Sequence, residues 1–432
     1  MIPMTPKSIC NGLIALAAFT YVSAAQAYTL RELYDKALVY SETVQSANLD
    51  VKITESNQEF TRKALKPRVS LGADGSYHVN KYDRENWAND RVAGLRTEFR
   101  QPIYDGGNTA AALKVSDANI EAYKWDVKTA EQTLYLRVAS LFYEWVTQSQ
   151  DIKNLEETLR LLERRVGDLG AWEKIGRARN AEVYLARTQL ELTKSTMAQS
   201  RTNRNAAEEE LAWLTNLPMP LKLDDELSLE EIRPKVSSNQ QKSDASEPDY
   251  KLPTVEAAEA RVEAATRSIE LTKTDLKPRF DFIAGHQWSY LDPTEQGAHD
   301  FSFGVGLTWL IYDSGQINAA VTTANLIKTQ ATVQKELADR EGNLFLGIAS
   351  RRLEDSLVQI RAYQDALKVV EKTLGAQREE YDSGLITNIE LLTILDQRLQ
   401  IRRNLDLALN RAKLIFVQSE VYSGNWIKKQ EP

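Results

Sequence analysis

Polar and apolar residues along this chain follow two different periods, and each period occurs twice. From residue 108 to about 172 there is no proline, and apolar side chains recur in steps of four and three: Leu134, Val138, Leu141, Trp145, then Ile152, Leu155, Leu159, Leu162, Val166 and Leu169, with one polar site at Gln148. That spacing predicts a single helix with a heptad seam. At 1.5 Å per residue, roughly 65 residues reach on the order of 100 Å. The same seam returns 208 positions later as Leu346, Ala349, Leu353, Ile360, Tyr363, Leu367, Val370 and Leu374, with Ser356 at the place of Gln148. Further helices are predicted over 181–215 and 388–421, and shorter ones over 30–65 and 254–276.

The other period is two. Val69, Leu71, Ala73, Tyr77 and Val79 alternate with Ser70, Asp74, Ser76, His78 and Asn80, and Leu95, Thr97 and Phe99 alternate with Arg96, Glu98 and Arg100. Phe280, Phe282, Ala284, Trp288 and Tyr290, and then Phe301, Phe303, Val305, Leu307 and Trp309, repeat the pattern. These read as four amphipathic strands of about 10–12 residues, close to the ~9–11 that a tilted strand needs to cross a bilayer. A soluble hairpin lying on a core alternates in the same way, so alternation alone leaves lipid and core burial equal. The long helices break the tie, because an ordinary globular domain has no use for their length and a plain coiled coil carries no such hairpins.

A fixed offset ties the copies together. Tyr104-Asp105-Gly106-Gly107 recurs as Tyr312-Asp313-Ser314-Gly315, Gly176 and Glu182 recur as Gly384 and Glu390, and Gln189 recurs as Gln397, all 208 residues apart. Leu65-Lys-Pro-Arg68 and Leu276-Lys-Pro-Arg279 are 211 apart. The second hairpin segment is therefore three residues shorter, a length change expected in a loop. Fold organisation follows from this duplication: a first repeat over 28–216 with a hairpin at about 68–103 and a helical turn near 176–181, a connecting segment over 217–253, a second repeat over 254–424 with a hairpin at about 279–312 and a turn near 384–388, and a tail over 425–432. The connecting segment is rich in proline, serine and charge and reads as an exposed linker, with a small local element at 221–232.

Composition narrows the function classes. Residues 1–27 read as a signal peptide, with Lys7, an apolar run from Ile9 to Val22, and the small-x-small site Ala25-Gln26-Ala27. Cys10, the only cysteine, lies at the start of that run and is expected to leave with it, which removes disulfides and thiol chemistry. A formal charge of −7 argues against nucleic acid as a partner. His78, His286 and His299 show no spacing to carboxylates that suggests a metal, and Gly304-Val-Gly306 lacks the third glycine of a dinucleotide loop. Asp105 and Asp313 read as helix caps. No cofactor, no metal and no enzymatic activity are expected.

Four membrane strands are too few for a closed barrel, and an open sheet edge cannot face lipid. Two chains would give eight strands and a filled interior; three would give twelve and a lumen, and the threefold solution fits a helical tube best. The Leu-Lys-Pro-Arg entries, the Gln101-Pro-Ile-Tyr-Asp-Gly-Gly107 exit with its twin, and Gly384-x5-Glu390-Leu-Leu before the helix that runs to Gly424 resemble the TolC family of outer-membrane efflux proteins over nearly the whole chain. The resemblance implies a mainly α fold with a β-barrel portion: a homotrimer whose 12-stranded outer-membrane barrel, four strands from each protomer, continues into a periplasmic α-helical barrel. It implies a passive exit duct of a type I secretion system or a tripartite efflux pump. Its partners would be a periplasmic adaptor (membrane fusion protein), an inner-membrane ABC transporter or proton-driven pump, and outer-membrane lipid.

The resemblance also assigns residues. Gly176, Arg177 and Ala178, with Gly384, Leu385, Ile386 and Thr387, would form the adaptor-docking helix tips. Glu390, with Asp396, would form an acidic ring at the periplasmic entrance. Tyr381 and Glu182 would form a gate latch. Thr393 and Ile386 depart from the family pattern, since an acid and an arginine are found there in relatives. A periplasmic coiled-coil scaffold is the alternative from another functional class.

Overall fold

The computed structural model describes residues 27–81, 87–230, 232, 252–292 and 296–423. The expected signal peptide, most of the linker and the expected tail lie outside them. The elements are α1 (Leu30–Tyr40), α2 (Glu42–Arg62), β1 (Arg68–Lys81), β2 (Trp87–Tyr104), α3 (Asn108–Lys174), α4 (Asn180–Thr215), α5 (Pro253–Lys273), β3 (Arg279–Asp292), β4 (Gln296–Thr308), α6 (Gln316–Asp382) and α7 (Asn388–Tyr422). Both α3 and α6 contain 67 residues, so each reaches about 100 Å.

Two boundaries differ from the sequence reading. The helix expected over 30–65 breaks at Ser41, whose extended backbone ends α1 while its hydroxyl accepts the Val44 N–H at 3.3 Å and caps α2; serine satisfies a helix start better than a helix interior. The second hairpin, expected to reach 312, ends at Thr308. Beyond it the Trp309 indole N–H donates to the Leu276 carbonyl at 3.1 Å. The twin of Trp309 is Gln101, and its amide donates to the Leu65 carbonyl at 2.7 Å. One bond, made by different residue types, ties each Leu-Lys-Pro-Arg entry to its hairpin exit.

The strands are longer than expected, 14, 18, 14 and 13 residues, and form one antiparallel sheet in the order β1-β2-β3-β4. The register puts Val69 opposite Phe99, Phe99 opposite Ala284 and Ala284 opposite Phe303, so the apolar residues of all four strands share a face. Among the described residues that face is not buried by the chain: Phe303 is 85% exposed, Val69 and Leu71 each 70%, and the sheet's main packing partners are its own strands. Core burial is thereby excluded as the reason for the alternation.

Helices continue the same order. α2 packs on α3, α3 on α5 and α5 on α6, while α4 lies on α3 and α7 on α6. Leu159, Leu162 and Leu169 interlock with Val183, Ala186 and Leu190 to join α3 to α4. Val370 and Leu374 do the same with Leu391, Ile394 and Leu395 to join α6 to α7. A larger core nearer the sheet gathers Leu33, Tyr34, Val138, Phe142, Leu211 and Val421. Within it burial pushes the Tyr143 hydroxyl far above the usual phenol range.

Candidate functional site: the helix tips and the seam between the helix pairs

Both tips are built by one backbone device. Gly176 and Gly384 stand at φ +76° and +75°, a region that costs other residues about 1–2 kcal/mol. Behind them Arg177 N–H bonds the Trp172 carbonyl at 2.8 Å and Leu385 N–H bonds the Glu380 carbonyl at 2.8 Å, closing each long helix with two residues to spare. Nothing lies near an added Cβ at either glycine, so the requirement is the positive φ alone. Arg177, Leu385 and Thr387 are exposed, Ile386 is half-buried and Ala178 packs against the α3/α4 cluster. Ile175, Leu385 and Ile389, 64%, 76% and 55% exposed, give the tips an apolar surface.

The tips differ in their second helix. Thr387 and Glu390 form a capping box, with the Thr387 N–H donating to the Glu390 carboxylate at 3.1 Å and the Glu390 N–H to the Thr387 hydroxyl at 3.5 Å. At the first tip Arg179 starts α4 with no side-chain cap. Glu390 is thus an exposed carboxylate folded back on its own helix start, a local duty the acidic-ring reading did not include. Asp396 is half-buried and accepts from the Gln189 amide on α4 at 3.2 Å.

The chain does not bring Tyr381 and Glu182 together as a hydrogen-bonded pair. Tyr381 faces Arg165 of α3, whose guanidinium carbon lies 3.8 Å from the phenol centroid and 5.6 Å from that of Trp172. The two rings stack at 6.1 Å, and Arg165 Nε donates to Asn388 Oδ1 at 2.8 Å. The cluster therefore joins α3 to both α6 and α7.

Above it a polar seam runs between α3 and α7. Glu157 accepts from Arg398 at 2.9 Å and Arg402 at 2.6 Å. Asp151 takes Arg403 at 2.5 Å and the Ser200 hydroxyl of α4 at 2.6 Å. Asn154 donates to Asp406 at 2.6 Å, and Asn410 reaches Gln150 at 2.8 Å. Burial raises the Glu157 carboxyl's pKa, but the two arginines outweigh it and hold the group below its ordinary range. At Asp406 burial wins over Asn154 and Arg402, and the carboxyl stays above its ordinary range. Each helix pair is apolar inside, and between the pairs this polar and charged stretch is followed nearer the sheet by the apolar core that Val417 and Val421 of α7 share with α3.

Sequence reasoning missed this seam. A signal was present: Asp151, Asn154, Glu157 and Arg165 recur at helical spacing beside the apolar heptad, and Arg398, Arg402, Arg403 and Asp406 repeat it on the partner helix. No cluster of three or more metal-ligating side chains occurs among the described residues. His286 and His299 pair at 3.1 Å on the apolar face of the sheet, beside Phe301.

The model of a family described as outer membrane efflux protein matches residues 33–217 and 251–414. The outer membrane protein TolC of Escherichia coli (strain K12) is 23% identical over 402 residues, 89% of this chain and 80% of that one. The protein of the same name from Vibrio cholerae is 21% identical over 413 residues, 92% and 91% of the two chains. Among solved structures, CusC superposes with a TM-score of 0.77 at 17% identity, over 91% of each chain. The open state of the Neisseria gonorrhoeae MtrE outer membrane channel superposes at 0.66 and 18%, over 91% of this chain and 88% of that one.

Proposed function

The chain belongs to the outer membrane efflux protein family, and from that premise we propose that three copies form the exit duct of a secretion or efflux assembly. As a family member it is an outer-membrane channel protein, a transporter of the TolC type. The observation that carries the finer reading is the agreement of its open edges. β1 and β4 flank the sheet, α2 and α6 flank the helical layer, and each layer lacks a neighbour on the same two sides.

A heterologous contact repeated around a closed ring meets both needs at once: β4 pairs with β1 of the next copy and α6 packs on its α2. Twelve strands then enclose a lumen lined by the polar face, where Arg96, Glu98, Arg100, Asp281 and Asp300 lie, while Phe280, Phe282, Phe303 and Val305 meet lipid. The first repeat (28–216) and second repeat (254–424) supply alternate staves of the tube.

In this reading substrate passes from an inner-membrane transporter, ABC-type or proton-driven, through a periplasmic adaptor docked on Gly176–Ala178 and Gly384–Thr387, and then outward without chemistry or energy input. Glu390 and Asp396 narrow the entrance as rings of carboxylates. The gate lies at the same end, with Tyr381 moving against the first helix pair. Detergent-extracted protein is expected to image as a threefold tube about 140 Å long, a ~40 Å membrane layer and a ~100 Å helical tube, and to conduct in planar bilayers. A salt-extractable monomer without conductance would leave the scaffold alternative.

A further inference from the structure

No carboxylate forms an ion pair with the Arg165 guanidinium among the described residues. Its surroundings are two aromatic faces and one amide. Nε and Nη2 share one edge of the planar guanidinium and point the same way, an edge that suits the two oxygens of a carboxylate. Asn388 cannot fill that edge, because an amide offers one oxygen and one NH2 group. The shortfall is visible: Nε is satisfied at 2.8 Å, while Arg165 Nη2 and Asn388 Nδ2 are both buried with no protein acceptor. Asn388 is 1% exposed. The unmet hydrogens thus sit on neighbouring atoms of one bonded pair, beside a full positive charge and in the first turn of α7, where free N–H groups add positive potential.

We propose that Arg165 and Asn388 bind a small monovalent anion, chloride-sized, which accepts from Nη2 and Nδ2 together and neutralises the guanidinium. Both donor atoms are closed to solvent, so an ion reaches them only as the two side chains part, and a small monovalent anion requires the least opening. The bound ion ties α3 to α6 and α7 through Trp172, Tyr381 and Asn388, so the two helix pairs hold together more firmly when it is present.

The test uses purified full-length protein in two salts of equal ionic strength, sodium chloride and sodium gluconate, with stability as the readout, independent of conduction. Wild type is expected to unfold about 2–4 °C higher in chloride, and crystals grown in bromide to show an anomalous peak at Arg165 and Asn388. Asn388→Asp supplies the missing oxygen covalently, so it is expected to unfold in gluconate as late as wild type does in chloride and to lose the chloride response. Arg165→Met is expected to lose the response as well. A water molecule in place of the bromide peak, or Asn388→Asp that still responds to chloride, overturns the proposal.

Discussion

At the scale of single residues, Glu390 has one duty in the fold and a second proposed for the assembly, and substitution separates the two. Its carboxylate closes the capping box with Thr387, and in a ring of three copies it would charge the entrance. Glutamine also closes such a box, so Glu390→Gln is expected to leave the melting temperature nearly unchanged while reducing cation selectivity. Thr387→Ala is expected to cost about 1 kcal/mol with selectivity intact. Reversal potentials across a salt gradient, read beside thermal melts, check both; selectivity unchanged in Glu390→Gln would remove the residue from the ring. The twin turns make a second contrast. Asp105 accepts from Gly107 N–H at 3.0 Å and Thr109 N–H at 2.7 Å, and Asp313 from Gly315 N–H at 2.9 Å and Ile317 N–H at 2.6 Å. The position between carries Gly106 at φ +73° in one copy and Ser314 at φ +55° in the other. A Cβ at Gly106 would lie 3.1 Å from the Thr274 carbonyl and 3.0 Å from Lys277 Cβ, so Gly106→Ser is expected to destabilise by about 1–3 kcal/mol, measured by denaturant titration. Ser314→Gly lacks that clash to relieve and is expected to stay within about 1 kcal/mol of wild type.

At the scale of elements, periodicity made the helices and strands legible because burial on one face is what periodicity reports. Leu134 through Leu169 predicted α3, and its twin predicted α6, since both seams meet apolar partners. The break at Ser41 escaped because a polar residue on an amphipathic helix looks the same whether it caps or continues. The seam escaped for a related reason: Asp151 and Glu157 read as solvated surface until α7 is placed against them. Once placed, Glu157 and Asp406 carry a pH dependence. The Glu157 pKa is lowered in the fold, so its contribution is present above the ordinary glutamate range and is lost as pH falls through the lowered value. Asp406 has the opposite sign: its raised pKa makes its ionised form unfavourable, so protonation on mild acidification helps. Stability followed by circular dichroism is therefore expected to hold or rise slightly from pH 7 to about 5 and to fall below about 4. Asp151→Ala strands Arg403 and Ser200 together and is expected to cost about 3 kcal/mol, more than removal of the exposed pair Lys368–Asp365.

At the scale of the whole molecule, exposed apolar residues on α2 and α6 say more about assembly than the sheet does. Leu49, Ile53 and Phe60 on α2 are 56%, 56% and 75% exposed, and Leu326, Val333, Leu337 and Leu344 on α6 are 65%, 55%, 49% and 53% exposed. Their spacings of four and seven residues trace one stripe on each helix. The stripe on α6 is the longer, about 27 Å from Leu326 to Leu344 against about 17 Å from Leu49 to Phe60. The two overlap in height, because α2 ends just before β1 and α6 begins just after β4. α2 runs toward the sheet and α6 away from it, so in a ring Phe60 of one copy would meet Leu326 of the next while Leu49 approaches Val333 and Leu337. Burying such side chains is worth about 1.5–3 kcal/mol each, and three equivalent interfaces multiply the effect. The double variant Val333→Glu with Leu337→Glu is expected to fold its helix pairs, since neither side chain lies in an apolar core cluster, but to run as a monomer in detergent by light scattering. Trimers that persist with both glutamates in place would show that α6 faces something other than α2 of a second copy.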